Sequence, residues 1–255
     1  MTTHSPYFVS GNGFENIRLV RKPSANDPTA VSGLKFDDLC QTIRDARGDN
    51  PSRRIEGLVA KLHQALQPNI AEMYFARVPV LVEGLEDIAY ITTHLILSDR
   101  WDEFRRLGCH MVPANGKDKL LQPIACAKHL RLPIFTIFDS DSDVIRNRGA
   151  HESDNRAILR LLGKAEAELF PVIHVWESNH VYWSTNLGEA IKADFDSADY
   201  ERYLETARRH HPDEGNLNKN SLFISDWLSI AYDEGRSSVT LQRLCDAILN
   251  FARST

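Results

Sequence analysis

The sequence predicts an α/β fold: a parallel sheet with helices on both faces, followed by a run of helices. Three observations carry this reading. Apolar strand-like runs alternate with helix-length amphipathic or apolar segments through the middle of the chain, the pattern of βαβ units. The two strongest runs, "VPVLVEG" from Val78–Pro79 onward and "LPIFTIFD" ending at Asp139, are continuously apolar rather than alternating, as expected of strands covered on both sides. From about residue 197 the strand signals stop and helical periodicity takes over.

Taken in order, residues 1–34 contain short strand-like fragments, "YFVSG", "NIRLVRK" and "TAVSGL", separated by Gly, Asn and Pro. "FDDLCQTIRDA" has helical spacing, "GDNPS" interrupts it, and "RRIEGLVAKLHQALQ" resumes it. "VPVLVEG" is a strand and "EDIAYITTHLIL" a helix. "CHMVPA" is a short strand ending at "NGKDK", and "LLQPIACAKHL" is a helix with Pro123 in its first turn. After the strand ending at Asp139, residues 147–169 read as a polar loop and then a helix over "NRAILRLLGKAEAELF". "PVIHVWES" and "HVYWS" are strands, and "NLGEAI" opens a helix. "ADYERYLETARRHH", "NLNKNSLFISDWLSIAYDEG" and "TLQRLCDAILNFA" complete the helical end. No repeat or low-complexity tract is present.

Composition narrows the function classes. The chain has 255 residues, 42% hydrophobic and 25% charged, enough apolar material for a substantial core. No apolar run approaches the ~18 residues of a membrane span, and the N-terminus lacks the pattern of a secretory signal. Four cysteines stand far apart without a CxxC pair, which points to reduced thiols in a cytoplasmic protein rather than to disulfides or zinc. A net charge of −5 argues against a protein that merely coats nucleic acid. It leaves room for one that grips phosphates through cations, because the acids holding a cation count as negative until it binds.

The acids fall in a pattern. Ligands of open parallel sheets bind beyond the carboxyl ends of the strands. "VPVLVEG" ends at Glu83, with Asp87 one helical turn further on; "LPIFTIFD" ends at Asp139, followed by Asp141. If the two strands are neighbours, Glu83, Asp87, Asp139 and Asp141 converge on one edge, where clustered carboxylates repel one another unless a cation neutralises them. Magnesium or manganese, hard ions with oxygen ligands, suit such a set. Each acid alone has a plainer explanation, since a strand-end Asp is commonly a turn former or helix cap. The joint spacing is what carries the metal reading. Gly116 with Lys117, Asp118 and Lys119 reads first as an ordinary turn, with approach to the site or to phosphate as the alternative. Trp176, Trp183 and Trp227 read as core, and none of the ten histidines is assigned to a metal, because no HxH or HxxxH pair occurs.

"VLVEGLED" followed by "IFTIFDSDSD" resembles the Toprim domain, whose signature is a Glu after one strand and a DxD after a later one. The resemblance spans roughly residues 76–195. A closer likeness is to the OLD (overcoming lysogenization defect) family, which joins an ABC-type ATPase to a C-terminal Toprim nuclease; "TTHSPYFVSG" resembles the end of such an ATPase, and "AEMYFARVPVLVEG" the lead-in to the nuclease. The resemblance implies the following organisation. Residues 1–34 are the end of an ATPase domain with His4 as its switch histidine, and 35–75 are linking helices. Residues 76–195 are the Toprim core with a helical insert, and 196–255 are a C-terminal helical segment. No G-x-x-x-x-G-K-[ST] loop is present, so the chain is expected neither to bind nor to hydrolyse ATP, and the ATPase domain becomes an expected partner.

By the same resemblance the chain is a metal-dependent endonuclease acting on DNA with two Mg2+ or Mn2+ ions. Glu83, Asp139 and Asp141 hold one ion. Asp87 and Glu189 help hold the other, with Ser184 and Asn186 as weaker neighbours, and Lys219 offsets charge on the transition state. A homodimer would let two sites address two strands. Two other classes stay open: a haloacid-dehalogenase-like phosphatase, which also carries DxD after a strand but leaves Glu83 and Asp87 unexplained, and a non-catalytic Toprim module that binds DNA or a partner.

Overall fold

The computed structural model describes residues 2–5, 8–9, 14–22, 27–48, 68–212 and 219–255. The helix expected over "RRIEGLVAKLHQALQ" and most of the fragment "YFVSG" lie outside the described residues. Near the N-terminus, β1 (Leu19–Arg21) pairs antiparallel with β2 (Ala30–Ser32), and α1 (Phe36–Arg47) follows. A turn of helix, α2 (Pro68–Ala71), leads into the sheet.

The alternating segment then runs β3 (Val78–Val82), α3 (Leu85–Leu97), α4 (Trp101–Arg106), β4 (Cys109–Pro113), α5 (Leu121–Leu130), β5 (Phe135–Asp139), α6 (Arg148–Leu161), β6 (Val175–Trp176), β7 (His180–Trp183) and α7 (Leu187–Lys192). The five strands form one sheet in the order β4-β3-β5-β7-β6. β4, β3, β5 and β7 are parallel, and β6 runs antiparallel along the edge of β7. This is an α/β, Rossmann-like arrangement, as the sequence predicts.

Every residue of β3 is buried, which explains its unbroken apolar run. Alternate residues face two separate cores. Leu81, Val112, Phe138 and Tyr182 pack beneath α1, α5 and α6. Val80, Val82, Phe135, Ile137, Val181 and Trp183 pack on the other side, against α3 and the later helices. Those later helices are α8 (Ser197–His210), α9 (Ser221–Asp233) and α10 (Val239–Ser254). They supply Tyr203, Trp227, Leu244 and Ile248 to the second core, so the C-terminal helices share their interior with the sheet. Asp194, just after α7, ties the start of α10 in place by accepting from Ser238 Oγ at 2.5 Å and from the Thr240 backbone N–H at 2.9 Å.

Two sequence expectations are corrected. The helix over "NRAILRLLGKAEAELF" starts earlier, at Arg148, and stops at Leu161; Gly163, at φ 80°, stands just past its end in the left-handed conformation that ends helices. The strand expected over "PVIHVWES" shrinks to Val175–Trp176, because Val172 and Ile173 are exposed and find no strand to pair with among the described residues. Trp183 and Trp227 are core residues as expected, and Cys40, Cys109, Cys126 and Cys245 are free and buried. Among the described residues no helix is long and apolar enough to cross a membrane.

Leu81 sits at 0% exposure in the centre of the sheet. Leu81→Ala should therefore lower stability by about 2–5 kcal/mol. In urea titrations the midpoint should fall while the slope stays unchanged.

Candidate metal centre at the carboxyl edge of the sheet

The parallel strands end together. Val82 of β3 pairs with Pro113 of β4, Leu81 with Thr136 of β5, and Asp139 of β5 with Trp183 of β7. The residues that follow these strands therefore gather along one edge, the usual ligand position of such sheets.

Glu83, the first residue after β3, turns its carboxylate across to β5, where Oε1 accepts the Asp139 backbone N–H at 2.7 Å. Burial, opposed in part by that hydrogen bond and by Lys117, pushes the Glu83 carboxyl up to about 8; the charges of Asp87 and Asp141 push in the same direction. Asp87 is buried in the first turn of α3 and accepts the Gly84 backbone N–H at 2.9 Å through Oδ2. This bond satisfies one of the free donors at the helix start. Burial is again the main reason its carboxyl rises, here to about 7. Asp139 is raised well above the ordinary range by burial first, and then by Glu83, Asp87 and Asp141.

Asp141 has φ 54°, a left-handed conformation that Asp tolerates better than most residues. Around it the chain is pinned to β7: the Ser142 N–H donates to Ser184 O at 3.0 Å, and Ser140 Oγ donates to the same oxygen at 2.6 Å. From the other side, the buried Asn155 of α6 donates through Nδ2 to Ser140 O and to Leu169 O, both at 2.9 Å.

Two further residues stand at this edge, one that the sequence offers only as an alternative to a plain turn and one that it does not indicate. Lys117 is buried, pairs with Asp141 Oδ2, and donates to Asp139 O at 2.9 Å. It is delivered by the turn after β4, where the Gly116 N–H bonds Glu83 O at 2.9 Å. Gly116 has φ 130° and ψ 148°, a region open in practice to glycine alone. The signal was present in "NGKDK" directly after a strand, but a turn explained it equally well. His151, on α6, brings Nδ1 to 2.9 Å from Asp141 Oδ2. Its sequence surroundings hold no ligand pattern, so the fold alone reveals it.

The remaining expected residues stand further out. Glu189 is exposed at the start of α7 and has Lys192 at 4.0 Å. Its charge, with those of Asp87 and Glu86, still reaches Tyr90, whose hydroxyl is pushed up chiefly by burial. Asn186 caps α7, accepting the Glu189 N–H at 2.8 Å. Ser184 contacts His174 Nδ1 through its backbone N–H at 3.2 Å. Lys219 is exposed, with Nζ 3.8 Å from Glu86 Oε1 on α3. His4 is exposed.

The family model described as "Overcoming lysogenization defect protein-like, TOPRIM domain" matches residues 74–141, the stretch from before β3 to Asp141. Over that stretch the chain is similar to an OLD-like Toprim domain. Among solved structures it is similar to the C-terminal region of the Burkholderia pseudomallei OLD protein, at 16% identity and TM-score 0.40, covering 71% of this chain and 98% of that one. It is also similar to the C-terminal region of the Xanthomonas campestris pv. campestris OLD protein, at 18% identity and TM-score 0.39, covering 71% and 84%. No curated protein matches.

No three His, Cys, Asp or Glu side chains among the described residues are already gathered as a metal cage. The chemistry of the donor set nevertheless fits a hard divalent cation. Glu83, Asp87 and Asp139 are oxygen donors packed into a buried edge that resists their ionisation, and a cation removes that resistance.

These shifts set the sign of a pH dependence. A carboxyl raised on folding takes up more protons in the native than in the unfolded chain. Its stabilising contribution is complete below the unfolded pKa and is lost as pH rises through the folded one. Metal-free protein should therefore lose stability as pH climbs from the ordinary Glu value of 4.5 toward about 8, the raised value of Glu83. Thermal melts across that range check it, and Glu83→Gln should flatten the slope.

Proposed function

We propose that the chain is a divalent-metal-dependent endonuclease module acting on DNA. The observation that carries this reading is the convergence of Glu83 and Asp139 from adjacent parallel strands, with Asp87, Asp141 and Lys117 around them, in a domain that matches an OLD-like Toprim model. Glu83, Asp139 and Asp141 would hold one ion, Mg2+ or Mn2+. Asp87 would contribute toward a second, with Glu189 approaching from α7. When bound, such ions supply Lewis-acid stabilisation of a phosphodiester and a nucleophile usable at neutral pH.

The protein's own groups have distinct tasks. Glu83, with its carboxyl pushed up to about 8 in the metal-free edge, holds a proton near neutral pH until a cation binds, and would give it up to become a ligand. Asp139 places an acid where the strand ends, and its backbone N–H fixes the Glu83 carboxylate. Lys219 approaches α3 at Glu86 and is long enough to offset phosphate charge near Asp87. An ABC-type ATPase domain would be its partner, because these residues contain no phosphate-cradling loop.

A non-catalytic Toprim module that binds DNA or a partner is the second reading. It is favoured by the absence, among the described residues, of a ready-made three-ligand cluster. The phosphatase reading leaves Glu83 without a task, whereas here Glu83 is bonded to the strand end that bears the DxD.

Supercoiled plasmid incubated with the protein and Mn2+ should be nicked or linearised, and EDTA should abolish this. Glu83→Gln and Asp139→Asn should each reduce the rate at least about a hundredfold while circular dichroism stays native. Lys219→Ala should slow cleavage by roughly tenfold or more. Unchanged plasmid with the parent protein, alongside DNA retention in a mobility shift, would favour the non-catalytic module.

A further inference from the structure

Lys117 is the one lysine among the described residues that the fold buries. Burying an ammonium is costly unless its charge is answered and its protons are bonded. Here both are done by a single motif. Nζ pairs with Asp141 Oδ2 and donates to Asp139 O at 2.9 Å, so that the ammonium spans the two ends of the DxD. The placement is built from several sides. Gly116, at φ 130°, makes the turn, and its N–H holds that turn to Glu83 O at 2.9 Å. His151 Nδ1 also lies 2.9 Å from the same Asp141 oxygen.

A cation held on the oxygens of Asp139 and Asp141 stands where the proposed metal reading needs positive charge. We infer that Lys117 is a positioning residue that serves as an internal counter-cation, holding the DxD segment in shape without metal and competing with a divalent ion for Asp141. This inference rests on the metal reading and adds to it: affinity for the ion is set low by a side chain that is not itself a ligand. The protein gains a folded, charge-balanced edge in the absence of metal. In exchange, the ion must displace the ammonium from one carboxylate oxygen.

The test compares the full chain with Lys117→Met, which keeps most of the volume and removes the charge, and with Lys117→Arg, which keeps the charge. Isothermal titration with Mn2+ and thermal melting with and without Mn2+ provide readouts independent of cleavage. Removing one unit charge at contact distance from the site should tighten Mn2+ binding about tenfold or more. The metal-free Lys117→Met chain should melt several degrees lower, on the order of 4 °C, and saturating Mn2+ should bring it back to the parent value. Lys117→Arg should bind Mn2+ like the parent.

Equal or weaker Mn2+ binding by Lys117→Met would overturn the inference, as would a melting deficit that Mn2+ leaves in place, since a purely structural lysine gives that result. Should Lys117→Met fold only when Mn2+ is present, the inference is supported; should it fail to fold in either buffer, it is overturned. If neither the parent nor Lys117→Met binds Mn2+, the metal reading itself falls and takes this inference with it. That outcome is distinct from a parent that binds normally and a variant that binds no better.

Discussion

The burial of several carboxyl groups at one end of a parallel sheet is the constraint on which the rest depends. Water would stabilise their charges, and the fold removes much of that water. The structure answers with backbone donors at the strand and helix ends and one buried lysine, and burial pushes the Glu83 carboxyl toward keeping its proton. None of these needs a cation, yet each occupies an acid oxygen or withholds a charge that a cation could use. The edge therefore stands as a folded surface with unspent affinity for positive charge, rather than as a finished cage.

Most of the sheet was legible in the sequence because its signals are local. The unbroken apolar runs of β3 and β5 report burial on both faces, and the helix spacing of α3 and α5 needs no tertiary information. The failures fall where local signals conflict with context. "NRAILRLLGKAEAELF" keeps enough apolar residues to extend a helix, but Gly163 turns the chain and the remainder follows the surface. "PVIHVWES" has strand-forming residues, yet only Val175 and Trp176 lie beside β7. β-propensity records a fit to a pleated surface, and here the surface is only two residues long.

The site was legible where an acid ends a strand. Glu83 and Asp139 could be paired because strand ends of one parallel sheet share an edge, and the structure brings them into contact. Lys117 was not legible in the same way, since its importance depends on β4 lying next to β3, which spacing alone does not reveal. His151 depends on the start of α6, seven residues earlier than the sequence places it. Asn186 caps α7, a task its type and position already favour, and that cap sets where Glu189 enters the helix.

The two cores on either side of the sheet do more than provide stability. Asp87 and Lys219 belong to the layer built by α3 and α9, while His151 and Asn155 belong to α6 on the opposite layer. Glu83 and Asp139 stand on the seam between them. A ligand seated at this edge would touch groups delivered from both layers at once, so a substitution deep in either core is a route to the geometry of the acids on the seam.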